Sequence, residues 1–106
     1  MQVKNIGDFF RCNADKISKN PVFESSHLFF DVYGILPGQS QKVHTHEDSD
    51  KIYSVLEGEV CVILGDEQRN LVAGETVMAE SGVAHGIVNQ GLSPAYVLVV
   101  MAPKPQ

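Results

Sequence analysis

The sequence predicts an all-β fold, a sandwich or barrel built from short strands. Helical periodicity is almost absent, and the one stretch with helical potential, residues 13–19, is polar and stops before Pro21. In the second half, glycines recur every seven to nine residues, at Gly58, Gly65, Gly74, Gly82 and Gly91. Strands of about five residues joined by glycine turns are what a sandwich or barrel requires.

Seven segments between the turns are β-branched, aromatic or aliphatic and predict strands. The first of them is long and closes at the Pro37-Gly38 turn, and the others follow at short intervals. In chain order the predicted strands are 27–36, 42–46, 51–56, 60–64, 76–78, 86–88 and 95–101.

The last predicted strand, 95–101, is apolar at successive positions and does not alternate with polar residues. Such a strand is covered on both faces. One face meets the interior of a small barrel, and the other needs a second cover. We expect a homodimer interface there; the alternative is coverage by the N-terminal segment of the same chain.

Composition excludes several classes of protein. The 106 residues suffice for one domain, and eight basic against thirteen acidic residues give a net charge of −5. No run of Lys or Arg exceeds one residue, so we expect no nucleic-acid partner and no anionic membrane surface. The N-terminus lacks the apolar core of a signal peptide, and the longest apolar run, 95–102, is too short to span a bilayer. Because Cys12 and Cys61 form no CxxC pair, we expect buried thiols and a cytoplasmic protein.

Two of the four histidines form the sequence His44-Thr45-His46. Residues i and i+2 of a strand point to the same face, so both imidazoles project together. Two neighbouring strand residues can share one metal ion in this way. Taken alone, such a pair is more often not a metal site.

A third histidine, His85, completes two patterns through which the chain resembles the cupins. The first cupin motif has a glycine, five residues, HxH, three or four residues, a glutamate, six residues and a glycine. Here five residues separate Gly38 from His44, four separate His46 from position 51, and six separate position 51 from Gly58. The second motif is matched at the expected distances by Gly74, Gly82, His85 and Asn89.

The resemblance implies a double-stranded β-helix, or jelly-roll, barrel. It further implies a single cupin domain over residues 1–106, with the first motif at 38–58 and the second at 74–89. The three motif histidines, His44, His46 and His85, are then the metal-binding residues, and the cofactor is a divalent transition metal such as Zn, Fe, Mn, Ni or Cu.

Two positions depart from the family pattern. Glu80 stands where the second motif has proline, a change in a turn. Lys51 stands where the first motif has the glutamate that serves as a fourth ligand. An ammonium has no lone pair to offer, and its charge repels a cation in the same pocket.

Three arrangements of the site follow from this departure. Asp50, one residue earlier, supplies the missing carboxylate; or three histidines and water complete the site; or the site is free of metal and the histidines act as hydrogen-bonding groups. In the second arrangement, neutral imidazoles leave the charge of the ion uncompensated, which favours an anionic ligand for Lys51 to bind. Strand parity places Lys51 on the inward face with Tyr53 and Val55.

Lys51 and Tyr53 are therefore the candidate catalytic residues, Lys51 as charge partner or proton donor and Tyr53 through its phenol. The alternative for Tyr53 is a core aromatic. We expect a metal-dependent enzyme for a small anionic molecule, a dioxygenase first and an isomerase or decarboxylase second. The rival hypothesis is a non-catalytic small-molecule-binding or sensor protein with a degenerate metal site.

Overall fold

Two facing antiparallel sheets make up the computed structural model, which describes residues 1–105. A 3-10 turn at Ile6–Phe9 precedes the strands. The strands of the described chain are β1 (Ser18–Glu24), β2 (Phe29–Ile35), β3 (Ser40–His44), β4 (Asp50–Glu57), β5 (Glu59–Leu64), β6 (Glu67–Val72), β7 (Thr76–Ala79), β8 (His85–Val88) and β9 (Ala95–Ala102).

The strand order is β1-β2-β9-β4-β7 in one sheet and β3-β8-β5-β6 in the other, with antiparallel neighbours throughout. Consecutive strands cross repeatedly from one sheet to the other, as in a jelly roll. The core lies between the sheets and contains Tyr53, Val55, Val60, Ile87 and Val97, each at most 1% exposed. The all-β jelly-roll prediction is confirmed.

All seven predicted strands are present, with bounds that differ by up to two residues. Two strands, β1 and β6, were not predicted, and each is the edge of its sheet. β1 contains Pro21, at which its register against β2 shifts, and proline in a strand is confined to edges and bulges. β6 is exposed except at Leu71, and its first four residues are polar. The helical potential of residues 13–19 is not realised.

The turn at Gly58 shows why glycine is needed there. Its φ of +81° lies in the left-handed region, and a Cβ at this position would come 2.8 Å from the carbonyl oxygen of Pro94. Both conditions disfavour any side chain. The glycine therefore holds the β4–β5 turn against the loop before β9.

The outer face of the five-stranded sheet carries an apolar row. Residues paired across all five strands share this face: Phe23, Phe30, Val100, Ile52 and Met78. The two ends of the row, Phe23 and Met78, are 40% and 45% exposed, and the others are half-buried. Met78 is thus not part of the core that its apolar character suggests.

The N-terminal segment covers another part of the same face. The ring of Phe10 stacks on Tyr96 with centroids 4.4 Å apart, and a Cβ on Gly34 would collide with the carbonyl oxygen of Arg11. Asn20 donates hydrogen bonds to the carbonyl oxygens of Phe9 and Arg11. β9 is therefore covered by its own chain at the Tyr96 end.

Both cysteines are free thiols, Cys61 buried and Cys12 half-buried. Among the helical residues of the described chain, no segment has the length and apolar character needed to cross a membrane.

Candidate metal centre

The antiparallel pairing of β3 with β8 places two histidines opposite each other. His44 ends β3 and pairs with His85, which begins β8. His46 follows two residues later, and its ring centroid lies 4.9 Å from that of His44 and 5.5 Å from that of His85. One potential ligand nitrogen of each ring lies within 4.8 Å of the others. Small side-chain rotations suffice for one cation to contact all three.

Backbone carbonyls fix the tautomers of two of these rings. His44 Nδ1 lies 2.7 Å from the carbonyl oxygen of Lys42, and His85 Nδ1 lies 2.9 Å from that of Val83. Since a carbonyl can only accept, each Nδ1 carries the proton and each Nε2 keeps its lone pair. His85 Nε2 is buried and has no hydrogen-bond partner in the described chain. An orphaned lone pair in that position fits a metal ligand.

Electrostatics favour the neutral imidazole at His46 and His85. Burial lowers the pKa of His85, the charges of Lys51 and the other two histidines lower it further, and the hydrogen bond to Val83 opposes them. Burial also lowers the pKa of His46, with His44 and Lys51 acting in the same direction. A metal ion requires the neutral imidazole. The residues present therefore fit a divalent transition metal held by three histidines.

Asp50 lies outside this cluster. Its side chain is exposed, and Oδ1 accepts a hydrogen bond of 2.9 Å from the backbone N–H of Ser81. It is not among the residues whose ligand atoms converge. Because side chains alternate along β4, Asp50 points away from the face on which Lys51 lies. The arrangement with an aspartate ligand therefore has no support in this geometry.

Lys51 and Tyr53 point inward, as strand parity predicts. Lys51 is 1% exposed and Tyr53 is fully buried. Both donate to Gln41 Oε1, the Lys51 Nζ at 3.1 Å and the Tyr53 hydroxyl at 3.4 Å. The Nζ also lies 5.7 Å from the ring centroid of Tyr33 and 5.2 Å from that of Tyr53, within the range of cation–π attraction.

Burial shifts the pKa values of Lys51, Tyr33 and Tyr53 in the direction that favours the neutral form of each group. Burial, with a contribution from the charge of Lys19, lowers the pKa of Lys51 to about 8, and Asp31 opposes the shift. Burial and the charge of Asp31 raise the pKa of Tyr33 to about 12, opposed by a hydrogen bond with Gln41. Burial also raises the pKa of Tyr53. Near pH 8 Lys51 can therefore both donate and accept a proton.

A cavity of about 630 Å³ opens beside the histidines, within the usual size range of ligand pockets. Three lysines lie on its wall, although the chain as a whole carries a net charge of −5. The lining residues are Lys19, Phe29, Asp31, Tyr33, Gln41, Lys42, His44, His46, Lys51, Val99, Met101 and Pro105. The cavity is thus locally cationic.

Gln41 and Asp31 were not among the residues that the sequence singled out. The register of β3 against β8 shifts between Gln41 and His44, and Gln41, Lys42 and His44 all line the cavity. Regular alternation along a strand would place Gln41 and His44 on opposite faces. Asp31 could have been found from the sequence, because it is a charged residue between Phe29 and Tyr33 on one face of an otherwise apolar strand.

Asn89 and His27 both lie outside the histidine cluster. The side chain of Asn89 is buried, donates to the carbonyl oxygens of Ile35 and Ser93, and accepts from the N–H of Gly91. It braces the end of β8 against the loop before β9. His27 is exposed and stands apart from the cluster.

Comparison with known proteins decides the family. The sequence profile of the cupin domain matches residues 32–101, which include all three clustered histidines. The chain is a cupin. Its departure at position 51 is therefore a feature of this cupin's site and not a sign of another fold.

Individual proteins and solved structures are also similar to this chain. This chain is 48% identical to the protein TT1209 from Thermus thermophilus, with 99% of this chain and 100% of that one covered and a TM-score of 0.96. A conserved double-stranded β-helix protein from Klebsiella pneumoniae is 25% identical, with coverages of 97% and 90% and a TM-score of 0.87. The tetracenomycin polyketide synthase protein TcmJ of Streptomyces glaucescens is 33% identical over 69 residues, 65% of this chain but only 46% of that protein.

The lowered pKa of Lys51 predicts a pH-dependent stability. Between about pH 8 and 10.5 the folded state binds fewer protons than the unfolded state, so the free energy of unfolding rises with pH in that window. K51M lacks this group. The free energy of unfolding of the wild type, relative to K51M, should therefore increase by about 2 kcal/mol from pH 7 to pH 9.5, measured by urea denaturation. K42M, at an exposed lysine of the same cavity, should follow the wild type; a constant difference between wild type and K51M would contradict the assignment.

Proposed function

We propose that this cupin is a metal-dependent enzyme that acts on a small anionic molecule. The observation that carries the proposal is the convergence of three imidazoles, two of which line a cavity that also holds three lysines. Neutral ligands leave the charge of a divalent ion uncompensated. Together with the lysines, that charge makes an anionic ligand the best electrostatic match.

A transition metal bound there would supply Lewis acidity and a template for the substrate. His44, His46 and His85 would hold it, and the carbonyl oxygens of Lys42 and Val83 orient two of the rings. Lys51 would bind a carboxylate or enolate oxygen of the substrate and hold a proton on Nζ close to it. Among reactions suited to this set, oxygen-dependent cleavage comes first, and isomerisation or decarboxylation of a carbonyl acid follows.

A second function, a non-catalytic binding or sensor protein, is favoured by Lys51 itself. The ammonium occupies the position of a ligand carboxylate in the first cupin motif and would weaken the hold on a cation. Elemental analysis of protein purified without a chelating column separates the two functions. One tightly held transition metal per chain supports the enzyme, and substoichiometric, exchangeable metal supports the binding protein.

Removal of one imidazole tests the metal centre directly. H85A should retain less than about one tenth of the metal bound by the wild type, because loss of a ligand costs more than the 10- to 100-fold caused by loss of a ligand's support. Metal content after dialysis is measured by mass spectrometry, alongside circular dichroism to show that the barrel folds. H44A should behave in the same way.

H27A provides the matched control, since His27 is exposed and lies outside the cluster. It should bind as much metal as the wild type. Equal metal content in H85A and H27A would contradict the proposed centre.

We further propose that the chain forms a homodimer through the apolar row on the outer face of the five-stranded sheet. The row runs through Phe30, Val100 and Ile52 at its middle and ends at exposed side chains. The ring of Phe10 covers the face at Tyr96, whereas Phe23 and Met78 at the ends of the row are 40% and 45% exposed. A glutamate at position 100 would place a charge in the middle of the paired surfaces.

Sedimentation velocity tests the dimer. The molecular mass obtained for the wild type should be twice the chain mass of 11.6 kDa, and that obtained for V100E should equal the chain mass. V72E serves as the control because Val72 is 48% exposed on the other sheet, and it should remain a dimer. A monomeric wild type, or a dimeric V100E, would overturn this proposal.

A further inference from the structure

Asp31 is an acidic side chain on the wall of a cavity that is otherwise cationic. It lies on β2 between Phe29 and Tyr33, on the face that looks into the cavity with Lys51. It is not a member of the histidine cluster. Asp31 has no role in the function proposed above.

One oxygen of this carboxylate lacks a hydrogen bond. Asp31 Oδ1 is buried and has no partner in the described chain. Among residues 1–105, the ion pairs join Arg69 to Glu75 and Lys104 to Glu24, and neither involves Asp31. Lys51, the cavity's buried cation, gives its hydrogen bond to Gln41 instead. A buried acceptor without a donor costs free energy. Rotation of the Asp31 side chain would turn this oxygen to the cavity that the residue lines, where a donor on a ligand recovers that cost.

The charges around the cavity restrict what that donor can be. A second carboxylate on the ligand would be repelled by Asp31. A ligand ammonium would be repelled by Lys19, Lys42 and Lys51, which line the same space. A neutral O–H donor meets neither repulsion, and a hydrogen bond to a charged acceptor is stronger than one between neutral groups.

We propose that the cavity binds a hydroxylated organic acid, whose carboxylate lies at the lysines and whose hydroxyl donates a hydrogen bond to Asp31. The inference rests on the proposed function, since it assigns the substrate class of the same cavity. The volume of about 630 Å³ accommodates a small acid bearing hydroxyl groups. Asp31 is then a specificity-determining residue and not a metal ligand.

Matched acids that differ only by one hydroxyl test this subsite. Butyrate, 3-hydroxybutyrate and 4-hydroxybutyrate are titrated into the Zn²⁺-loaded protein, and dissociation constants are taken from NMR shifts. The 2-hydroxy isomer is left out because its hydroxyl can bind the metal. The wild type should bind the 3- or the 4-hydroxy acid about tenfold more tightly than butyrate or better, as a hydrogen bond to a charged group provides.

Two variants of Asp31 assign the preference to this residue. In D31A the hydroxylated acid and butyrate should bind equally, while the affinity for butyrate should not fall. D31N retains an acceptor oxygen without the charge, so its preference should lie between those of D31A and the wild type, and it keeps the test open if D31A does not fold. D50A removes an exposed carboxylate outside the cavity and should keep the full wild-type preference.

The outcomes separate this inference from the proposed function. If all the acids bind the wild type equally, or if D31A keeps the preference, the hydroxyl subsite is wrong and the anion-binding site stands. If none of the acids binds the Zn²⁺-loaded protein, the proposed anionic substrate and the subsite both fall.

Discussion

The functional site depends on one strand pairing, that of β3 with β8. It joins segments about forty residues apart in the chain and places His44 directly opposite His85. A slip of one residue would turn one histidine toward the solvent face, because side chains alternate along a strand. The buried amide of Asn89 ties the end of β8 to the carbonyl oxygens of Ile35 and Ser93, and so helps to hold the register. The convergence of the imidazoles is thus a consequence of sheet geometry.

Electrostatics distinguish this cavity from one that supplies its own carboxylate to the metal. With Lys51 at the ligand position, the protein offers a cation three imidazoles and no carboxylate ligand, so a negatively charged metal ligand would have to enter the cavity from outside. Burial of the ammonium is unfavourable. Gln41 Oε1 and the faces of Tyr33 and Tyr53 offset part of that cost. Asp31 on β2 is the acidic residue that lines the cavity. The proposed anionic ligand with a hydrogen-bond donor follows from the combination of the histidine cluster, the three lysines and Asp31.

Much of this was readable from the sequence, because strand parity and motif spacing are local rules that the barrel obeys. Glycine turns predicted the all-β fold, and strand parity predicted the inward direction of Lys51 and Tyr53. The resemblance to the cupins implied the jelly roll and the approach of His85 to His44 and His46. Strands β1 and β6 escaped prediction because edge strands tolerate proline and polar residues. Asp50 was misplaced as a candidate ligand because spacing does not reveal the hydrogen bond from Ser81. Gln41 was missed because a register shift breaks the alternation on which parity depends.

X-ray absorption spectroscopy of the protein loaded with one equivalent of Zn²⁺ shows whether the three histidines share one ion. Multiple-scattering features from imidazole count the histidines around the ion, and we expect three, with nitrogen or oxygen and no sulfur in the first shell. A shell with one or two imidazoles, or one containing a cysteine sulfur, would show that the strand pairing does not build the metal site.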